Sequence, residues 1–177
     1  MGTSWVSRAL RLLGLILFSL GAVNAHAADN GIAVYVGGVH SNDSDVYGTS
    51  HGGAIGVDAQ FVVNDDWSFN PYLLISSETT GTSNLDVING EGGLQARYWV
   101  GSWFLGPQFL FHDTLLKQGS TVGQSLYGPA LGFTFGWEGS SGWSVSLQAN
   151  ALENGTTQSV PKNNRSDVLL LVGYRWH

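Results

Sequence analysis

The sequence predicts an all-β fold, an eight-stranded antiparallel transmembrane up-and-down β-barrel. Three observations carry that expectation. Apolar and polar side chains alternate with a period of two almost everywhere beyond residue 30. Three short turns and four longer connections alternate along the chain. Only 11% of the residues are charged, against roughly 25% in an ordinary soluble domain.

The N-terminal segment is set apart from this pattern. Arg8 and Arg11 form a basic start, and the stretch from Leu12 to Val23 is apolar. That stretch is shorter than the roughly twenty residues a spanning helix needs. Ala25-His26-Ala27 follows as a small-x-small cleavage pattern. Residues 1–27 are therefore expected to be a cleaved secretory signal peptide, and residues 28–177 a single β-barrel domain.

Composition bounds the chemistry. Beyond residue 27 the basic residues are Arg97, Lys117, Lys162, Arg165 and Arg175, against thirteen acidic ones. A chain this acidic has no basic face for nucleic acid. With no cysteine, disulfides, thiol nucleophiles and cysteine metal sites are excluded. The part beyond residue 27 has no apolar run long enough for a transmembrane helix. A closed barrel is the other structure that satisfies every backbone group inside a bilayer.

The strands are expected at about 31–40, 51–63, 67–78, 87–99, 103–113, 124–137, 143–152 and 166–176. Short turns fall at 64–66, 101–102 and 138–142. Longer connections include 79–86, the loop 114–123 that runs through Lys117 to Gly123, and the polar loop from Glu153 to Arg165. Short turns at one end and longer loops at the other are the outer-membrane pattern. No second domain, linker or low-complexity tract interrupts it.

Each strand then divides into two rows. The second strand carries Ile55, Val57, Phe61 and Val63 on one row, the sixth Leu131, Phe133, Phe135 and Trp137, and the eighth Val168, Leu170, Val172 and Trp176. None of these rows holds a charge. One Lys or Arg at the bilayer midplane costs about 2–4 kcal/mol, so a charge-free row reads as a lipid face. The opposite rows carry Asp58, Glu78, Asn150 and Asp167 among others. Asp113 at a strand end is the exception, and both rows of the first strand are apolar. A soluble lipocalin-like cup would put its apolar row inside and its charges outside.

Two groups of residues follow from the rows. Asp58, Glu91, Arg97, Arg175, Gln95, Gln108 and Gln148 form the expected polar cluster of the lumen. Buried charges need partners, so a crossed ion-pair and hydrogen-bond plug is favoured over a narrow pore for small solutes. Trp67, Trp99, Trp103, Trp137, Trp143 and Trp176 all lie beside a short turn or the C-terminus. They are expected to form an aromatic girdle at the periplasmic interface. Pro71, Pro107 and Pro129 fall inside strands; since proline removes a ladder donor, bulges or shifted strand ends are expected there.

At this point the chain resembles the small eight-stranded outer-membrane barrels, of the OmpX and OmpA transmembrane-domain kind. The likeness rests on the leader, the turn–loop alternation and the last strand, from Val168 to Trp176, with its alternating apolar residues and terminal aromatic. His177 after that aromatic departs from the pattern. The resemblance implies a Gram-negative outer-membrane location, periplasmic termini, extracellular long loops, and insertion by the barrel-assembly machinery. Outer-membrane lipid and lipopolysaccharide are the expected neighbours, and a monomer the expected state.

No cofactor or metal site is expected, and no catalytic residue is assigned. His40, His51 and His112 fall near outer strand ends, with Asp43, Asp45 and Asp113 nearby, and read as rim residues. Some eight-stranded barrels modify lipid A, which makes a deacylase or acyltransferase the alternative function. The deacylase pattern would place His-x-Ser where this chain has Gln148-Ala149-Asn150-Ala151. His40-Ser41 and Ser76-Ser77-Glu78 echo a palmitoyltransferase only loosely. Lys117, Lys162 and Arg165 are expected in loops, within reach of lipopolysaccharide phosphates. The expected function is a structural or surface-interaction role.

Overall fold

The computed structural model describes residues 30–43, 48–81, 85–119, 121–154 and 163–176. The expected leader 1–27, Asp45, Lys162 and His177 lie outside them. Eight strands follow in chain order: β1 (Gly31–Asp43), β2 (Gly48–Asn64), β3 (Trp67–Thr80), β4 (Asp86–Val100), β5 (Trp103–Gln118), β6 (Thr121–Glu138), β7 (Trp143–Asn154) and β8 (Asn163–Trp176). Each pairs antiparallel with its neighbours in sequence, and β8 closes on β1.

The register sets the geometry. From Ala33 the pairing runs through Asp58, Tyr72, Gly93, Leu110, Ala130, Leu152 and Arg165. It returns to β1 at Asp43, ten residues beyond its start. A stagger of that size over eight strands tilts them by about 40° and leaves an interior just wide enough for side chains.

Period two sorts the side chains as the sequence indicates. Phe133, Leu147 and Leu170 are exposed on the outer surface, and Asn70, Gln95, Ser146 and Gln148 are buried inside. For β1, whose rows look alike, the structure turns Ala33, Tyr35, Val39 and Ser41 inward and Ile32, Val34 and Val36 outward.

The strands outrun their expected ends almost entirely at the loop end. β5 reaches Gln118, and Gln118 pairs with Thr121 of β6. The loop expected at 114–123, through Lys117 to Gly123, is therefore a tight hairpin around Gly119, whose φ of 60° suits glycine. Polar residues still pair there because the ladder needs only backbone groups. At the turn end the boundaries hold, and the turns are tied to strands beyond their own hairpins. Trp99 N–H donates to Asp66 O, Glu138 N–H to Ser102 O, and Arg175 N–H to Gly142 O, each at 2.8 Å.

The prolines do not make bulges. Pro71 pairs with Leu94, while toward β2 the ladder passes from Asp58↔Tyr72 to Phe61↔Phe69. Pro107 pairs with Phe133, while toward β4 the ladder passes from Gln95↔Gln108 to Tyr98↔Leu105. The β6–β7 ladder begins one residue after Pro129. A proline removes a donor without adding a residue, so the ladder opens and resumes in the same register. The register irregularities lie elsewhere, between Val62 and Asn64 and between Leu115 and Lys117.

Candidate functional site

Inward phase gathers the charged side chains in the lumen, and the stagger decides which of them meet. Near the turn end, Asp58 of β2 is the centre of one group. Its carboxylate accepts from Arg97 Nη2 at 2.7 Å and Tyr35 Oη at 2.7 Å. Arg175 Nη1 lies 2.9 Å from the other carboxylate oxygen. Arg175 also donates from Nη2 to Tyr35 Oη at 3.1 Å, and its Nε lies 3.1 Å from Glu138. Two guanidinium groups thus face two carboxylates. Arg97 also lies over the Phe104 ring, 4.5 Å from its centroid, a cation–π arrangement.

Near the loop end, Arg165 of β8 is the centre of a second group. Its Nε donates to Asp167 at 2.6 Å and its Nη2 to Glu78 at 2.7 Å. Nη2 also donates to Ser41 at 2.9 Å, and Nη1 to Thr114 at 3.3 Å. Glu78 accepts further from the hydroxyls of Ser41, Ser50 and Ser76. Both ion-paired side chains of Arg165–Glu78 are fully buried.

A polar track on the wall of β4, β5 and β7 joins the two groups. Arg97 Nε donates to Gln95 Oε1, and Gln95 Nε2 to Gln108 Oε1, both at 2.9 Å. Gln108 donates to Asn150, and Asn150 Nδ2 to Glu91 at 3.5 Å, a long link. Asn89 donates to Glu91 at 2.7 Å and accepts from Thr114 at 2.8 Å, and Thr114 meets Arg165. The opposite wall is apolar: Val39, Leu74, Leu169 and Leu171 are buried in one cluster that also touches Leu110 and Ala130. Gly132 makes room for the track. A Cβ there would meet Asn150 Oδ1, Ala149 O and Gln108 Nε2.

All seven expected lumen residues are buried and inward. Asp58, Arg97 and Arg175 meet directly, and Gln95 and Gln108 continue from them. Glu91 is linked to Gln108 through Asn150 and to Arg165 through Asn89 and Thr114. Gln148 faces the lumen, but its Oε1 has no hydrogen-bond partner. Tyr35, Glu78, Glu138, Arg165 and Asp167 join the two ion-paired groups from outside the expected set.

Three expectations are corrected. Arg165 is not a loop residue: it is 1% exposed and inside the barrel. Its position in phase with Asp167 and Leu169 is the signal that places it there. His112 is not at the rim either. It is 1% exposed, two residues from Leu110 on the inward row, with Nδ1 3.3 Å from Thr114 Oγ1. Trp99 is not part of an outward girdle. In phase with Gln95 and Arg97, it turns to the lumen mouth, donates from Nε1 to Ser68 at 2.9 Å and packs on Phe104 at 5.0 Å.

The other five tryptophans, Trp67, Trp103, Trp137, Trp143 and Trp176, are exposed on the outer surface at the turn end. Tyr98 and Tyr174 pack against them in tilted and edge-to-face contacts, with ring centroids 5.2 Å from Trp67 and 5.3 Å from Trp143. Inside this ring the mouth opens to a cavity of about 490 Å³ lined by Gln60, Asn64, Asp65, Trp99, Ser102 and Glu138 among others.

The remaining candidates separate by face. His40 and His51 are direct cross-strand partners on the outer surface. Ser41 points inward, away from His40, and Ser76 and Ser77 of the loose echo face opposite ways. Asp113 lies on the outward row of β5 and accepts from Ser125 at 2.7 Å. Lys117 is half-buried at the loop end of β5. Among the described residues, no group of three or more His, Asp or Glu is arranged to hold a metal ion.

No protein-family model matches the chain, and no curated protein matches it in sequence. Solved structures do match. The attachment invasion locus protein Ail of Yersinia pestis is 11% identical, with a TM-score of 0.59 over 83% of this chain and 99% of that one. Neisserial surface protein A is 12% identical, with a TM-score of 0.57 over 82% and 97%. At such identities the likeness speaks for the fold. Together with the closed eight-strand ladder and its inside-polar, outside-apolar sorting, it makes this chain a small eight-stranded barrel of the outer-membrane type.

Proposed function

We propose that the protein is an integral outer-membrane barrel that does not conduct, a rigid scaffold that carries its loops at the cell surface. The observation that supports this best is the pair of ion-paired groups, Arg97–Asp58–Arg175 and Glu78–Arg165–Asp167, bonded across the lumen at two heights. An open path requires both groups to come apart. Each separation strands buried charges, at a cost of several kcal/mol.

The membrane reading rests on the outer surface. Along β3 the apolar row from Trp67 to Ile75 spans about 20 Å once tilted, and Ser77 and Thr79 end it. With the rings at its lower edge, this approaches the roughly 25 Å apolar band of such barrels. The short turns and the tryptophans belong on the periplasmic side in this reading, with both termini. The loop ends face outward, next to lipopolysaccharide, with Lys117 as the described basic side chain nearest its phosphates.

Conductance in a planar bilayer tests the proposal. The purified full-length protein is expected to give no steady current steps. Reproducible unitary channels, abolished by the same treatment that unfolds the barrel, would overturn it.

A further inference from the structure

We propose that His40 and His51 form a two-imidazole site for a borderline divalent transition ion, Cu2+ ahead of Ni2+ and Zn2+, on the outer surface of the barrel. The two histidines are direct partners in the β1–β2 ladder. Both are exposed, and both stand on the outward row. Directly opposed residues on one face of an antiparallel pair have Cβ atoms about 4.5–5.5 Å apart. Two imidazoles rooted at that spacing reach one ion at metal–nitrogen distances of about 2.0–2.1 Å.

The surroundings favour a ligand rather than lipid. The next outward pair toward the turn end is Gly38↔Gly53. A Cβ at either glycine would meet nothing closer than 3.8 Å. The surface beneath the imidazoles is therefore bare, and the rings have room to rotate onto a shared ion. The next pair toward the loop end is Asn42↔Thr49, and Thr79 adjoins His51. The histidines stand where the apolar face gives way to polar side chains, so the remaining coordination positions are open to water. Imidazole nitrogen without thiolate or carboxylate selects these ions over Mg2+ and Ca2+, and their order of affinity favours Cu2+. Ten residues, including the β1–β2 connection, separate the two, and the register sets them directly opposite each other.

Titration of the full-length refolded protein in detergent with CuCl2 and with ZnCl2 tests the site, alongside His40→Ala and His51→Ala. Both side chains are exposed, so each variant is expected to fold, and circular dichroism checks it. The wild type is expected to bind one ion with two-nitrogen coordination in the Cu2+ electron paramagnetic resonance spectrum. Each single variant is expected to lose one nitrogen and to bind about a hundredfold more weakly, since the second ligand acts at high effective concentration. No saturable Cu2+ binding by the wild type would overturn the proposal. So would variants that bind as tightly as the wild type, which would place the ion on other histidines.

Discussion

Arg165 offers the sharpest test of how the barrel is held together, because the sequence and the structure assign it opposite roles. As a loop residue, its replacement would change stability by no more than about 0.5 kcal/mol. In the structure its guanidinium serves Asp167 at 2.6 Å and Glu78 at 2.7 Å, with side chains fully buried on both sides of each pair. Arg165→Met keeps the apolar stem and removes the charge, leaving two buried carboxylates. Breaking a buried pair from one side costs about 3–5 kcal/mol, which is between two and four powers of ten in the folding constant at about 1.4 kcal/mol per tenfold. Glu78 keeps the hydroxyls of Ser41, Ser50 and Ser76, so the lower half of that range is expected. Reversible urea unfolding from lipid vesicles, followed by tryptophan fluorescence, measures it. The triple variant R165M/E78Q/D167N is expected to recover most of the loss, since both carboxylates that pair with Arg165 are then neutral. A loss below about 1 kcal/mol for Arg165→Met, or a triple variant no better than the single, would refute the network as described.

Two further outcomes probe the outer surface and the mouth. Leu147 is 46% exposed at mid-height on the outward row of β7. Leu147→Arg is expected to lower stability in vesicles by about 2–4 kcal/mol, and equal or improved folding would argue for a soluble barrel. Trp99 is expected to resist quenching by brominated lipid chains while the five outward tryptophans are quenched. Comparing Trp99→Phe with Trp143→Phe reads this directly: the first should leave the quenchable fraction larger and the second smaller, and the reverse order would return Trp99 to the girdle.

Phase was legible in the sequence, and it reached further than the strand ends drawn from it. Arg165 lies two residues before Asp167, Trp99 two after Arg97, and His112 four after Gln108. Each shares a row with residues that the sequence places inward, and in each a local feature points elsewhere. Arg165 followed a polar stretch that resembles a loop. Trp99 stood beside a turn, where tryptophan suggests an interface. His112 stood at an apparent strand end. In all three cases the period of two is the stronger signal, because a side chain cannot change face without a bulge.

Height was not legible, and height decides contacts. Glu78 and Arg165 are separated by 87 residues and Arg97 and Asp58 by 39, and nothing local in either segment names its partner. The ten-residue stagger brings them level. The same stagger explains why one barrel holds two separate ion-paired groups rather than the single crossed cluster that composition suggests. Rows of eight strands rise past one another, so charges near opposite ends of neighbouring strands meet in different layers. The middle layer is left to Leu74, Leu110 and Leu169 on one side and to the Gln95–Gln108–Asn150 amides on the other. Leucine fills volume but satisfies no charge, whereas the amides both donate and accept and so pass bonding from Arg97 toward Glu91 without burying a further charge. A barrel of this width can therefore keep its interior polar where strands carry charge and apolar where they do not, provided that every guanidinium finds a carboxylate in its own layer.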